Sequence, residues 1–330
     1  MVARRQFVIA LAAGAFAPRV TFAQLKGRIW RIGFFYNGSR QSSVDTGRYR
    51  AFLRGMRDLG YLEGRDFVVD ERFVADWDSK RLSDAAAALI KSNVDVIVAT
   101  GGPTVHALKQ AATSIPVVAA LVTDPVANGL AASLAHPGGN FTGVSPLLDQ
   151  ISPKHIEFIK LVAPKISRIA VLAKKGSATN AQLRKRIEAD AAKGGLEVIH
   201  ADIDLQGDID PAISKMAQQH AGAFIILGDS FFVQHARQIA DAAKRYRLPS
   251  IYTGAEYPEA GGLMSYGPDF PDSYRRAATY VDKILKGAKP GDLPFEQPTQ
   301  FFLTINSKTV KLLGIELSNE LVLRADKVIK

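Results

Sequence analysis

The chain has 330 residues, 47% of them apolar, with no cysteine and a formal charge of +10. Absence of cysteine excludes disulfides, thiolate metal ligands and a cysteine nucleophile, and the length suits two hydrophobic cores better than one. After the first two dozen positions there is no run of about 18 apolar residues, so no later segment is expected to cross a bilayer as a helix.

The N-terminus reads differently from the rest. Arg4-Arg5-Gln6-Phe7-Val8 leads into an apolar run ending at Phe16, and Thr21-Phe22-Ala23 supplies small residues for a signal peptidase. Residues 1–23 are therefore expected to be an export signal cleaved after Ala23, placing the protein in the periplasm. The arginine pair suits a twin-arginine signal and the charged start of a general secretory signal alike. Removing Arg4, Arg5 and Arg19 from +10 leaves +7. This charge is spread over many predicted helices, with no block of five Lys/Arg, no basic-aromatic RNA motif and no zinc spacing, so nucleic acid is not an expected partner.

From there, strand-like apolar runs alternate with helix-period segments. Arg31 to Tyr36 reads as strand, Thr46 to Leu59 as helix ended by Gly60, Phe67 to Phe73 as strand, and Ser79 to Lys91 as helix. Val94 to Ala99, Pro103 to Ala112, Pro116 to Val122 and Pro125 to Ala135 continue the strand, helix, strand, helix order. The Gly138-Gly139 turn then launches a strand near Phe141. This alternation predicts a parallel sheet covered by helices on both faces.

The pattern restarts with a helix from Pro153 to Val162. Strands at 169–173, 196–201, 223–227 and 249–252 follow, separated by helices at 181–193, 209–219 and 233–246. Two tandem arrays of similar size predict two similar lobes. The tail adds a strand at 262–266, a helix with Tyr274, Ala277, Ala278, Val281, Ile284 and Leu285 on one face, a Gly/Pro-rich link over 286–298, a strand at 301–305 and a helix at 307–313 ended by Gly314. Placing one of these two βα units on each lobe gives lobe 1 as 24–145 plus 262–298 and lobe 2 as 146–261 plus 299–330. The chain then crosses three times, near 143–150, 252–261 and 298–301, and three parallel crossings make a hinge.

Chemical signatures favour binding over catalysis. The six histidines have no metal-ligand spacing, and no phosphate-binding glycine motif occurs, so neither a metal nor a cofactor is expected. Gly228-Asp229-Ser230-Phe231-Phe232 sits where a hydrolase nucleophile elbow would, but Phe232 stands in place of the second glycine. Thr100-Gly101-Gly102-Pro103-Thr104 ends a buried strand and starts a helix with proline in its first turn. It offers free backbone N–H groups and the positive end of a helix dipole to a carboxylate; the same residues also make an ordinary glycine turn. Asp124 before Pro125 fits a helix cap as well as a ligand contact. Asp229 and Glu256, at strand ends of the second array, could pair with an ammonium group or simply be capped or solvated. Tyr36, Phe231, Phe232 and Tyr257 could pack on a ligand or belong to the core.

Several segments carry a family resemblance. They are Leu59-Gly60-Tyr61-Leu62-Glu63-Gly64, Val94 to Gly101, Asp124-Pro125-Val126, Pro137-Gly138-Gly139-Asn140-Phe141-Thr142-Gly143, Ile225 to Phe232, Glu259 to Gly267, Ile284 to Pro290 and Ala325 to Ile329. Together with the Arg-Arg-x-Phe start, they make the chain resemble ABC-transporter substrate-binding proteins of the tryptophan/aromatic-amino-acid type. The resemblance implies the type I periplasmic binding protein fold: α/β, with two Rossmann-like lobes and parallel sheets joined by a three-strand hinge. It also implies a monomeric, non-enzymatic receptor that closes on a small molecule, an amino acid or related small carboxylate, and delivers it to a membrane permease driven by a cytoplasmic ATPase. By topology, Gly101, Gly102, Thr104 and Thr123 would hold the ligand carboxylate and Glu256 its ammonium, with Asp124, Asp229 and Ser230 as further candidates. The rival readings are a periplasmic ligand sensor for a membrane receptor and an exported hydrolase built on Ser230.

Overall fold

The computed structural model describes residues 28–330 apart from 76, 77, 149 and 177. The expected export signal lies outside the described residues. The first array comprises β1 (Trp30–Asn37), α1 (Arg40–Asp45), α2 (Arg48–Asp58), β2 (Phe67–Val74), α3 (Ser79–Lys91), β3 (Val96–Thr100), α4 (Gly102–Gln110), β4 (Val117–Leu121) and β5 (Phe141–Gly143). Its five strands are all parallel, in the order β2-β1-β3-β4-β5. Successive residues of β1 face opposite sides of the sheet. Phe34 packs with Phe52, Tyr274 and Val281 on one face, and Phe35 packs with Leu89, Ile97 and Leu108 on the other. Both faces being covered explains why β3 is apolar along almost its whole length.

The second array comprises α5 (Ser152–Val162), β6 (Arg168–Lys174), α6 (Ala178–Lys193), β7 (Glu197–Ile203), α7 (Ile209–Gln218), β8 (Ala223–Ile226), α8 (Ser230–Gln234), α9 (Ala236–Arg245), β9 (Ser250–Tyr252), α10 (Glu256–Glu259) and β10 (Met264–Gly267). After α11 (Phe270–Leu285) come β11 (Phe302–Asn306), α12 (Ser307–Leu313), α13 (Asn319–Arg324) and β12 (Lys327–Ile329). The seven strands run in the order β12-β11-β10-β9-β8-β6-β7, parallel except for the β10–β11 pair. Ile169 and Val171 of β6 pack on one side of this sheet, Ala170 and Leu172 on the other.

Three expectations differ from the structure. The 262–266 strand, expected in lobe 1, instead hydrogen-bonds as β10 between β9 and β11 in the second sheet; α11, packed on α2 and β4, and the link after it, with Phe295 in the first lobe's core, join the first lobe. The second crossing therefore runs through Pro268 and Asp269 instead of 252–261. The segment 125–135 is a succession of turns: Asn128 Nδ2 donates to the carbonyls of Thr123 and Asp124, and Gly129 takes φ +62°. The 233–246 helix starts earlier and is broken at His235 into α8 and α9.

The first and third crossings are bonded to each other. Ser145 N–H donates to Glu296 O at 2.8 Å and Glu296 N–H donates to Gly143 O at 2.9 Å. Gly143 has φ +141°, and a Cβ there would lie 2.0 Å from the Ala119 carbonyl oxygen, so the backbone passes where no side chain fits.

Candidate functional site

A cavity of about 480 Å³ lies where the carboxyl ends of the two parallel sheets face each other, the place where open α/β sheets bind ligands. The first lobe contributes Tyr36 and Asn37 from the end of β1, Thr100, Gly101 and Gly102 from the β3–α4 turn, Thr123 after β4, and Arg48 from the start of α2. The second contributes Lys174, Asp229, Ser230, Thr253 and Glu256 from the ends of β6, β8 and β9.

Six of the eight candidate residues line this cavity: Gly101, Gly102, Thr123, Asp229, Ser230 and Glu256. Gly101 takes φ +85° just before α4, a conformation that suits glycine, and α4 has neither a capping side chain nor an acid in its first turn. Its N-terminal N–H groups and dipole therefore face the cavity with no acid of the helix's own first turn beside them. Asp229 Oδ1 accepts from Phe231 N–H at 2.7 Å, capping α8. Ser230 Oγ accepts from Asn37 Nδ2 at 2.9 Å across the cleft.

Thr104 and Asp124 stand elsewhere. The Thr104 side chain is fully buried; its hydroxyl accepts from Thr100 N–H at 3.0 Å and donates to Gly101 O at 3.1 Å, shaping the turn from behind. Asp124 does not line the cavity, and its Oδ1 accepts from Ala127 N–H at 2.9 Å, the capping alternative of the sequence. Of the aromatic candidates, Tyr36 lines the cavity, whereas Phe231, Phe232 and Tyr257 belong to the second lobe's core.

Arg48 is the residue that sequence reasoning missed. It is 5% exposed, donates from Nη2 to Glu256 Oε1 at 2.7 Å and from Nη1 to Tyr36 OH at 3.1 Å, and lies 5.3 Å over the Phe270 ring. Burial disfavours its charge, but the surrounding Tyr36 and Glu256 groups outweigh that and hold the guanidinium protonated above its ordinary range. A signal was present: Arg48 shares the buried face of α2 with Phe52, Gly55 and Met56, and a charge on an apolar stripe demands a partner. Lys174, 5% exposed in its side chain, is the corresponding cation of lobe 2; it pairs with Asp204 and lies 5.5 Å from the Phe231 ring.

The lobes meet across this cavity through Arg48–Glu256, Asn37–Ser230 and Ser39 N–H to Gln234 Oε1 at 3.1 Å. Among the described residues no three His, Asp or Glu side chains cluster to hold a metal, and no helix is long and apolar enough to cross a membrane.

Comparison with known proteins agrees with this architecture. The tyrosine-binding protein of Clostridioides difficile is 25% identical over 279 residues, covering 83% of this chain and 78% of that protein. A conserved domain protein of Vibrio cholerae superposes with a TM-score of 0.85 at 27% identity, covering 91% of this chain and all of that one. An ABC domain from Streptococcus pneumonia, solved in complex with L-Trp, superposes with a TM-score of 0.83 at 24% identity over 92% of this chain and all of that one. The fold is that of the two-lobed type I periplasmic binding proteins. The sequence profile described as ABC transporter substrate binding protein matches residues 32–329, and the chain belongs to that family.

Proposed function

We propose that this protein is an exported receptor that captures a small carboxylate, an amino acid in the first instance, between its lobes and delivers it to an ABC-type import permease. The observation that carries this reading is the polarity of the cavity. One wall is the uncapped N-terminus of α4 with the Thr100 and Thr123 side chains, and the facing wall holds Glu256 and Asp229. A zwitterion spanning the two would place its carboxylate on the helix dipole and its ammonium beside the acids. That relatives are named for tyrosine or were solved with L-Trp supports an aromatic amino acid as the first ligand to try. Tyr36, Phe270 and Tyr274 give the cavity aromatic surface suited to such a side chain.

A thermal-shift screen of the protein lacking residues 1–23 against amino acids, aromatic acids, sugars and nucleosides tests the proposal, because a ligand that binds only the folded state raises the melting temperature. Amino acids or aromatic acids are expected to give the largest shifts. Shifts confined to sugars or nucleosides would overturn the ligand class. Export is tested separately by N-terminal sequencing of protein from cells: Gln24 is expected first, and a mature chain beginning at Met1 or Val2 would overturn it.

A further inference from the structure

Among the described residues three carboxylates line the cavity, and the protein engages each of these. Asp204 is paired with Lys174, Asp229 caps α8 through the Phe231 N–H, and Glu256 Oε1 is bound by Arg48. Glu256 Oε2 is turned back over the chain: a Cβ built on Gly254 would meet it at 2.1 Å. The opposite wall differs, since the first turn of α4 carries no acid and no capping side chain. Two of these acids are thus ion-paired and the third is hydrogen-bonded within its own lobe, while the positive helix end has no acid in its own first turn.

Arg48 creates this asymmetry. Its guanidinium is fixed by Tyr36, Glu256 and the Phe270 ring, and it comes from the lobe opposite to Glu256. When the lobes meet, it brings to the acid the positive charge that a ligand ammonium would otherwise bring. We propose that Arg48 is a specificity-determining residue: it cancels Glu256, makes the ligand carboxylate obligatory and excludes amines that lack one. The inference rests on the cleft being the ligand site, as proposed above. It adds that the ammonium of an amino acid is tolerated while its carboxylate is required. A bare amine would carry a positive charge into a cavity where Glu256 and Asp204 are already ion-paired and Asp229 is held as a helix cap, which is costly away from water.

The test uses matched ligand sets differing only in charge: L-tyrosine, 4-hydroxyphenylpropionate and tyramine, and likewise L-leucine, 4-methylpentanoate and 3-methylbutylamine. Calorimetric titration of wild type, Arg48→Lys, Arg48→Met and the Arg48→Met/Glu256→Gln double variant compares ranking within a set. Wild type and Arg48→Lys should bind the amine at least 100-fold more weakly than the preferred carboxylate ligand. In Arg48→Met, Glu256 is uncompensated, and the amine should gain at least tenfold relative to the deaminated acid. The double variant, neutral again at both positions, should return to the wild-type ranking even if its overall affinity falls. A merely structural Arg48 would lower all ligands of a set by the same factor in Arg48→Met, and that result overturns the inference. So does a wild type that binds amine and amino acid within threefold of each other, which leaves the amino-acid reading intact. Binding of the deaminated acids alone would overturn the amino-acid reading and support the role of Arg48. Failure of every member to bind wild type would overturn both.

Discussion

Glu256 and Asp124 are both acids that follow strands, and the fold gives them opposite tasks. Glu256 faces the cavity and forms an ion pair with the buried Arg48 while itself part-exposed, whereas Asp124 caps a turn outside it. Replacing Glu256 with alanine leaves a 5%-exposed guanidinium without its carboxylate, and breaking such a pair from one side costs about 3 kcal/mol of stability. Affinity should then separate by ligand charge. Glu256→Ala should weaken an amino acid about tenfold relative to its deaminated acid, because the Arg48 charge that Glu256 cancels is then left facing the ligand ammonium. Asp124→Ala should lower stability by about 1 kcal/mol and leave affinity unchanged. Denaturant unfolding and calorimetry of both variants check this; unchanged relative affinity in Glu256→Ala would remove Glu256 from the site, and lost affinity in Asp124→Ala would put the first-lobe acid into it.

At the scale of elements, the hinge is tied together by a small aromatic group. His155 of α5, just after the first crossing, donates from Nε2 to Tyr266 O at 2.8 Å and meets the Tyr266 ring edge-on. Tyr266 lies one residue before the end of β10, ahead of the second crossing, and stacks at 5.8 Å on Phe301, which closes the third. Burial lowers the His155 pKa from 6.5 to about 4, only partly opposed by its bond to Tyr266 O. Above pH 6.5 the imidazole is neutral in both folded and unfolded chains, and stability is fully present. As pH falls below 6.5 the unfolded chain takes up the proton first. The loss grows until about pH 4 and amounts to about 3 kcal/mol. His155→Gln should flatten this part of the stability profile, measured by urea unfolding between pH 4 and 7; an unchanged slope would assign the acid sensitivity to other groups. The same elements show what a sequence can and cannot reveal. Helices α3, α5 and α7 follow from periodicity and end signals to within a residue or two, and the Phe34/Phe35 alternation marks a strand buried on both faces. The sheet that β10 would join was not legible, because its apolar residues suit either sheet and the choice is made by antiparallel pairing with β11 about 40 residues later. The Ala-rich segment after Asp124 has helical composition, but Asn128 takes the carbonyls that a helix would have used. Arg48 was hidden for the opposite reason: its partner Glu256 is 208 residues away.

For the whole molecule, the central claim is that a ligand bound between the lobes holds them together. Three chain crossings link two separately cored lobes, and the interlobe contacts at the cavity are few and polar, so relative motion of the lobes is the natural response to a ligand touching both. The most direct measurement is small-angle scattering of the protein lacking residues 1–23 with and without a saturating ligand identified by its thermal shift. The account predicts a smaller radius of gyration with ligand and a bound-state profile matching the lobe arrangement described above. Superimposable profiles with a ligand proven to bind would contradict it.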